Sequence, residues 1–489
     1  MTLVQKTKSS SSDHLDKDHI LIMIALGIFT FMSVLDGSIV NIALPSISKD
    51  LAIPLNQATW TVIVYLIVIS GLLLLFGRMG DVFGKIKIFK IGTIIFTIGS
   101  FLAGISRFGL YFLLAARVVQ AVGASMTMST SFGITTSNFP ASMRARAMSV
   151  IGMFVSLGAI AGPAIGGAIL SIFNWTFIFW VNVPIGLIAI VIGIKYFPQD
   201  TIAQPNEKID YSGSTLFFSF VAVFFLAINA AEVVGFQDIW VIIGLVVALL
   251  LLAAFIKVEN LIKFPMIKLE IFKNQLYSIS LTTAFLVFAV NSYTNILMPF
   301  YLQDLRGLTP GQSGLILMAF PIANFIFSPI SGWAGDKFDK ELITLIGLAG
   351  LMLSQVGYLL INGGSPYLLI ILTLIANGTS AAIFQSPNNA LTMSTVPKPL
   401  LGIAGSVTAL ARNIGFIVGN TFATTMLFLG MSHLDGRRVL NYLPAHPDYF
   451  LQAMHWSFIF AAVLALVAFV LTLYRMLKRQ VLQKYIAKN

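Results

Sequence analysis

The sequence GRMGDVFGK at residues 77–85 is echoed by GWAGDKFDK at residues 332–340. Five of the nine positions are identical, and each copy follows a long apolar stretch. This repeat indicates that the chain contains two homologous halves. In membrane proteins, paired halves of this kind are typical of transporters, because the halves can move against each other around a site between them.

The composition of the chain indicates a membrane protein. Of its 489 residues, 57% are hydrophobic and only 10% are charged, whereas soluble domains have about 25% charged residues. This composition excludes a soluble enzyme, a disordered scaffold and a DNA-binding protein. The net charge of +11 is spread over short segments between apolar stretches. It therefore predicts no nucleic-acid partner.

Apolar stretches of about 20 residues, the length that crosses a bilayer as a helix, occur fourteen times. They lie at residues 20–43, 57–77, 87–106, 109–134, 146–171, 175–196, 213–232, 238–256, 277–302, 312–333, 342–361, 366–391, 403–430 and 455–475. The offset between the two repeat copies leaves residues 213–232 and 238–256 as surplus helices. The predicted fold is an all-α polytopic membrane protein with two six-helix bundles and two inserted central helices.

The distribution of Lys and Arg predicts the orientation of the chain. With the N-terminus in the cytosol, the inside segments carry 23 of these residues and the outside loops carry 5. Positive charge concentrates on the cytosolic side of membrane proteins, so both termini are predicted to be cytosolic, in the cytoplasmic membrane and without a signal peptide. The predicted domains are a tail (1–19), a first bundle (20–196), a linker with the inserted helices (197–256), a second bundle (257–475) and a basic tail (476–489).

Asp36 is the only carboxylate well inside a predicted span, and Arg117 lies at a similar estimated depth in the fourth span. Ionised groups are costly in the membrane interior and usually serve a function there. We therefore predict that Asp36 gains and loses protons. The alternative is a carboxylate that only bonds a neighbouring helix, or an arginine that only caps carbonyl groups. Arg412, in the inner half of the thirteenth span, is a similar candidate.

Several motifs occur in an order that resembles a known family. They are LDGSIVNIALPSI (35–47), GRMGDVFGK (77–85), RVVQAVGAS (117–125), GAIAGPAIGG (158–167), NWTFIFWVNVPIG (174–186), QDLRGLTPGQSG (303–314) and PNNALTMSTVP (387–397). Together they resemble the fourteen-helix drug:proton antiporters of the major facilitator superfamily, which include quaternary-ammonium and other multidrug exporters. The resemblance implies that Asp36, Arg117 and Arg412 serve proton coupling or substrate binding.

The resemblance also implies roles for two glycine-rich motifs. The first is a conformational loop that holds one state closed on the cytosolic side; its residues are Gly77, Arg78, Gly80, Asp81, Gly84 and Lys85, with Asp336 in the second copy. Asp81 is expected to accept hydrogen bonds from a helix N-terminus across the interface between halves. The second motif is an antiporter helix whose close packing limits proton leak; its residues are Gly158, Gly162, Pro163, Gly166 and Gly167. The alternatives are a plain cytosolic anchor loop and ordinary small-residue packing.

Intramembrane amides are candidates for a broad-specificity cavity, because they form hydrogen bonds without requiring one charge. They are Asn291, Asn295, Asn377, Gln385, Asn388 and Asn389. The alternative, polar packing between helices, is at least as common for each residue taken singly.

The sequence predicts no metal site, no cofactor and no enzyme activity. It has no Cys, its five His residues lack ligand spacing, and it contains no phosphate-binding P-loop. The predicted partners are a small-molecule substrate, protons and the lipid bilayer, with the protein as a monomer. An adaptor protein is neither indicated nor excluded.

These observations predict a proton-coupled antiporter that exports lipophilic, cationic drug-like compounds by alternating access, with the proton gradient as the energy source. The alternative on the same fold is an exporter of a lipid, a glycolipid or an endogenous metabolite. A membrane-embedded enzyme would need a catalytic constellation near an interface. A passive channel would differ from both in being unable to move its cargo uphill.

Overall fold

The computed structural model describes residues 17–486, apart from 139–140, 199, 201–208, 236, 263–264, 268 and 397–400. The predicted tail segments 1–16 and 487–489 therefore lie outside the described residues. The α-helices are α1 (Lys17–Asp50), α2 (Leu55–Ala58), α3 (Trp60–Phe83), α4 (Lys85–Gly104), α5 (Leu110–Asn138), α6 (Ala141–Ile172), α7 (Phe177–Trp180), α8 (Asn182–Tyr196), α9 (Tyr211–Val234), α10 (Ile239–Leu261), α11 (Gln275–Phe300), α12 (Pro310–Leu317), α13 (Ala319–Lys337), α14 (Lys340–Leu359), α15 (Tyr367–Ser394), α16 (Leu401–Asp435) and α17 (Pro447–Ile486).

The helices make fourteen membrane crossings, which confirms the predicted fold class. Within the described residues, thirteen crossings are long and apolar enough to span a bilayer, and the 32-residue helix α6 makes the remaining one. Three crossings consist of two consecutive helices: α2 with α3, α7 with α8, and α12 with α13. The short breaks within these crossings were not predicted, because hydropathy averages over them.

The two halves use the same helix pairing. In the first half α1 packs on α6 and α4 packs on α5; in the second half α11 packs on α16 and α14 packs on α15. These are corresponding crossings once the two inserted ones are set aside. The two halves therefore share the same helix packing as well as the GDxF-containing sequence repeat.

The halves meet mainly where α6 packs on α12 and α13, where α3 packs on α16 and where α1 packs on α11, with smaller contacts between α5 and α16 and between α1 and α12. We call the end of the bundle that holds residues 77–90 and 337–340 the basic end, and the opposite end the far end. Hydrogen bonds between the halves at the far end include Leu55 N to Asn441 Oδ1 (2.7 Å) and Gln303 Nε2 to the Ile42 carbonyl (3.2 Å). The far end is thus closed.

The inserted helices α9 and α10 form a hairpin beside this seam. Helix α9 contacts both α3 and α16, whereas α10 packs mainly on α9. Most of the outer surface of α10 is apolar and exposed, including Trp240, Leu249 and Leu250. This surface suits a lipid-facing helix, because lipid tails solvate apolar side chains.

Candidate functional site

The structure brings Asp36 of α1 and Arg117 of α5 into direct contact. Arg117 Nη1 lies 2.6 Å from Asp36 Oδ2. Both side chains are 0% exposed, so the pair is shielded from water and from lipid. A buried ion pair of this kind must satisfy its remaining polar atoms within the protein.

Two amides complete the shell around Asp36. Gln120 Nε2 and Asn182 Nδ2 each donate a hydrogen bond of 2.8 Å to Asp36 Oδ1. Gln120 also donates to Ser100 Oγ at 2.8 Å. Through these bonds the Asp36 carboxylate joins α1 to α5, α8 and, by way of Gln120, α4.

The guanidinium of Arg117 is held by the first bundle alone. Its Nε donates to the Thr61 carbonyl at 3.0 Å, and its Nη1 also donates to Gln120 Oε1 at 2.5 Å. The Tyr65 ring lies 4.0 Å from the guanidinium carbon, a cation–π contact. Arg117 Nη2 is buried without a hydrogen-bond partner in the described structure. Protonation of Asp36 would remove the counter-ion from an arginine that is otherwise only partly satisfied.

Sequence reasoning paired Asp36 with Arg117 by depth but assigned no role to Gln120 or Asn182. Both stand inside quoted motifs, RVVQ and WVNVP. Gln120 follows Arg117 by three residues and so shares its helix face. That spacing was the available signal for Gln120. The sequence gives no comparable signal for Asn182, because its approach to Asp36 depends on how α8 packs against α1.

Arg412 is placed differently from Arg117. It lies in α16, and its guanidinium carbon is 5.8 Å from the ring of Phe288, near the middle of α11. It forms no hydrogen bond or ion pair with any residue that the structure describes. Among the described residues, Arg412 therefore makes no such contact with the Asp36 cluster, although the sequence analysis assigned all three charged residues the same candidate role.

The candidate cavity amides do not form one cluster. Asn388 accepts a hydrogen bond from Arg475 Nη1 at 2.9 Å and donates to the Ser280 carbonyl, so it serves packing between helices. Asn377 donates to Thr294 Oγ1 at 2.8 Å.

The other four candidate amides differ in how deeply they are buried. Asn291 is buried, with its Oδ1 lacking a partner among the described residues. Asn295 and Gln385 are half-buried, and Asn389 is exposed. Of the six candidates, Asn291 and Asn295 are the pair that share one side of α11, since they are four residues apart.

The antiporter helix α6 is packed between the two halves. A Cβ atom on Gly162 would lie 1.9 Å from Ser38 Oγ of α1. A Cβ atom on Gly167 would lie 2.9 Å from Gly311 Cα of α12. Gly158 and Gly166 likewise face α1, and the Pro163 carbonyl faces Gly314 of α12. The small residues therefore let α6 contact the helix that carries Asp36 and the opposite half at once.

The predicted conformational loop is mostly helical. Gly77, Arg78, Gly80 and Asp81 belong to the last turns of α3, and Gly84, with a φ of +106°, forms the break before α4. A positive φ of this size favours glycine because it has no side chain. The helical course corrects the sequence-based description of a loop.

Among the described residues, Asp81 forms its ion pair within its own half and not with the other half. Its Oδ1 is 2.7 Å from Lys85 Nζ, and the N-terminus of α4 is capped instead by Asp200, which accepts from the Ile86 and Lys87 amides at 2.9 and 2.7 Å. Asp336 lies in α13, and its side chain is not among the parts of the chain that the structure describes.

A second buried ion pair lies at the basic end of the second half. Arg475 Nε is 2.8 Å from Glu341 Oε2, and its Nη1 donates to Ser280 Oγ and Asn388 Oδ1 at 2.6 and 2.9 Å. This cluster joins α11, α14, α15 and α17. Glu341 and Glu259 of α10 are buried carboxylates that the sequence did not single out. Both were missed because they stand at or beyond the ends of the predicted spans.

Comparison with known proteins identifies the family. Residues 26–420 match the Major Facilitator Superfamily. The riboflavin transporter RibZ of Clostridioides difficile (strain 630) is 34% identical over 460 residues, covering 94% of this chain and 97% of that protein. The multidrug efflux pump SdrM of Staphylococcus aureus (strain N315) is 27% identical over 436 residues, covering 87% and 93% of the two chains.

The fold agrees with this assignment. The solved peptide transporter POT in complex with sulfate superposes with a TM-score of 0.67 at 15% identity, covering 93% of this chain and 94% of that chain. At that identity the likeness shows the fold alone. Several relatives are named multidrug resistance, efflux or export proteins, and the chain itself is a multi-pass membrane transporter of the Major Facilitator Superfamily.

Proposed function

We propose that the protein is a proton-coupled antiporter that exports lipophilic drug-like compounds by alternating access. The observation that carries the proposal is the buried cluster of Asp36, Arg117, Gln120 and Asn182. A carboxylate that is fully enclosed by donors from two other helices changes several contacts when it takes up one proton. Such a group can convert proton binding into helix movement.

In the proposed coupling, a change in the charge of Asp36 alters the packing of α1. In the ionised state Asp36 holds Arg117 at 2.6 Å and Asn182 at 2.8 Å. A proton on the carboxylate removes its charge and one acceptor position, and so weakens both contacts. Helix α1 is then less firmly tied to α5 and α8. Because α1 packs on the glycine face of α6, a shift of α1 is transmitted to the α6–α12 contact between halves.

The proposed orientation places the basic end and both termini in the cytoplasm, with the protein in the cytoplasmic membrane. Its support is the excess of Lys and Arg in the loops of that end. Substrate would enter from the cytosol or the inner leaflet, and protons would enter from the far end. A cationic cargo that displaces the proton of Asp36 stays a prediction of the sequence.

Purified protein in proteoliposomes tests the coupling. We expect transport of an aromatic drug-like dye by the wild type, tested with cationic ethidium and anionic fluorescein, to be accompanied by substrate-dependent proton movement, recorded with a pH-sensitive dye in the lumen. Asp36→Asn should abolish this proton movement and uphill transport. Asp448→Asn, the same chemical change at an exposed far-end position, is the matched control and should behave like the wild type.

The interpretation requires a folded variant, because Asp36→Asn leaves Arg117 without its counter-ion. The double variant Asp36→Asn with Arg117→Gln removes both charges and should remain folded but uncoupled. Full proton-coupled transport by either variant would refute the role of Asp36. Flux that never runs uphill under an imposed pH gradient would indicate a channel instead.

A metabolite exporter is the second candidate, and the 34% identity to a protein named as a riboflavin transporter favours it. The same proteoliposomes distinguish the two by cargo. Proton movement driven by riboflavin but not by ethidium would support the metabolite exporter, whereas a response to a fluorescent lipid alone would support a lipid exporter. A drug-susceptibility panel in an efflux-deficient host, comparing the wild type with Asp36→Asn, tests drug export in cells.

A further inference from the structure

Arg412 is a cation near the middle of the membrane for which the protein supplies no counter-ion among its described residues. The contrast with two other arginines is direct: Arg117 lies 2.6 Å from Asp36, and Arg475 lies 2.8 Å from Glu341. Arg412 has only the face of the Phe288 ring, at 5.8 Å. An arginine in the membrane interior is costly unless something neutralises it, so a missing anion is expected at this place.

The depth of Arg412 follows from its neighbours. Gly415 of α16 faces Phe285 and Phe288 of α11, and Phe288 is close to the midpoint of that helix (Gln275–Phe300). Substrate sites in transporters built from repeats lie near the membrane midplane, between the repeats. Helix α16 borders the first half through α3 and α5, so the helix that carries Arg412 takes part in the contact between the halves.

Two aromatic rings lie near Arg412: the Phe288 ring is 5.8 Å from its guanidinium carbon, and the Phe416 ring packs on Phe288. The ring centroids of Phe288 and Phe416 are 5.2 Å apart, and Phe416 follows Arg412 by one helical turn. Both Arg412 and Phe416 are partly exposed rather than sealed into the packing between α11 and α16. A ligand can therefore approach the charge and the rings together.

Unsatisfied amides lie on the same side of the two helices. Asn413 and Asn420 are 5% and 4% exposed, and Asn413 Nδ2 and Asn420 Oδ1 have no hydrogen-bond partner in the described part of the chain. On α11, Asn291 Oδ1 is also unpaired, one turn from Phe288. Residues spaced by three and four share a helix face. Buried polar atoms without partners are expected to be satisfied by something that binds there.

We propose that Arg412 binds an anionic group of the exported compound, with Phe288 and Phe416 contacting its aromatic part and the free amides bonding its polar edge. The inference rests on the proposed export function and specifies the cargo as an aromatic organic anion. It differs from the sequence expectation of a cation. That expectation relied on Asp36, whose oxygens are occupied by Arg117, Gln120 and Asn182 in this structure.

Two dyes with one ring system test the proposal. Fluorescein and rhodamine 6G share the xanthene ring, and at neutral pH the first is an anion and the second a cation. Their binding to the purified protein in detergent, without any ion gradient, is measured by fluorescence polarisation. We expect the wild type to bind fluorescein more tightly than rhodamine 6G. Arg412→Gln should weaken fluorescein binding by about tenfold or more, the effect of losing one charge-assisted bond, and should leave rhodamine 6G binding unchanged or tighter.

The controls separate a local role from a structural one. Arg438→Gln removes the same charge at an exposed far-end position and should not change either affinity, whereas Arg412→Lys should retain part of the fluorescein affinity. The melting temperature of Arg412→Gln should equal or exceed that of the wild type, because an unpaired charge is removed. Tighter wild-type binding of rhodamine 6G, or unchanged fluorescein binding by Arg412→Gln, would overturn the proposal. Neither result depends on proton coupling, so failure of the antiporter mechanism would be recognised separately in proteoliposomes.

Discussion

At the scale of single residues, the protein places buried charges in two kinds of surroundings. Asp36 with Arg117, and Glu341 with Arg475, are ion pairs enclosed by neutral donors and acceptors. Arg412 has an aromatic neighbour but no counter-ion among the described residues. Paired charges can remain inside a bundle without a ligand, whereas an unpaired charge depends on what binds to it. This difference separates the proposed proton site from the proposed cargo site.

The Asp36–Arg117 pair predicts a strong non-additivity in stability. Arg117→Gln leaves a buried carboxylate without its cation, and breaking such a pair typically costs about 3–5 kcal/mol. Adding Asp36→Asn to it removes the uncompensated charge and should restore much of the loss. The free energies of unfolding from SDS titrations of both single variants and the double variant give the coupling energy. Simple addition of the two single effects would mean that the pair is not a stabilising unit.

Sequence reasoning reached the charged members of this site but not the neutral ones. Asp36 and Arg117 stand out because charge is rare in an apolar span. Gln120 and Asn182 are neutral amides, which also occur in other helices of the protein, and their contact with Asp36 depends on how α5 and α8 are rotated. Glu341 was missed for a different reason: it lies within the first turn of α14, where hydropathy no longer distinguishes span from loop.

At the scale of secondary-structure elements, α6 is the helix whose sequence most directly explains its packing, because its glycines allow other helices to approach closely. Its glycines face Phe31, Ser38 and Ile39 of α1, and Gly167 faces Gly311 of α12. Small residues allow backbones to approach closely, which is how helices pack where lipid and protein are equally apolar. The repeat, the motif order and the helix count were accessible from sequence because they are properties of consecutive residues. The family resemblance implied close packing of α6, but its simultaneous contact with both halves was not predicted.

The contact between α6 and α1 predicts a compensating pair of substitutions. Gly162→Ala should lower the melting temperature and slow transport, because its Cβ would meet Ser38 Oγ at 1.9 Å. Ser38→Gly removes the obstructing side chain, so the double variant should recover part of both losses. Thermal unfolding in detergent and transport in proteoliposomes measure the recovery.

Gly37→Ala is the matched control for this pair, since nothing lies within 4 Å of a Cβ atom at that position. It should be nearly neutral for the melting temperature. A double variant no better than Gly162→Ala alone would show that Ser38 is not the neighbour that requires glycine.

At the scale of the whole molecule, the structure is closed at the far end by contacts from both halves. These include the Leu55–Asn441 and Gln303–Ile42 hydrogen bonds and the packing of α6 on α12. Alternating access requires these contacts to break in each cycle. The closed far end was not predictable from sequence, because both states of an alternating transporter have the same hydropathy and the same motifs.

A reversible crosslink tests whether this closure must open. A Cβ atom on Gly311 would lie 2.8 Å from Ser171 Oγ, so cysteines at these two positions can form a disulfide. The chain has no Cys of its own, which makes the introduced bond unique. Oxidation of Ser171→Cys with Gly311→Cys should stop transport, and a reductant should restore it.

The single-cysteine variants, treated in the same way, are the controls for oxidation itself and should keep transporting. Undiminished transport by the crosslinked protein, with crosslinking verified by mass spectrometry, would show that α6 and α12 do not separate during the cycle.

The inserted hairpin has a consequence for the symmetry of that motion. Helix α9 leans on α3 of one half and α16 of the other, whereas the α6–α12 side carries no extra pair of helices in the part of the chain described. When the halves rock, α9 must therefore slide along α3, along α16 or along both. We therefore expect the two halves to move asymmetrically. The side that carries the α9–α10 hairpin should be the more rigid one, and the α6–α12 side should open further.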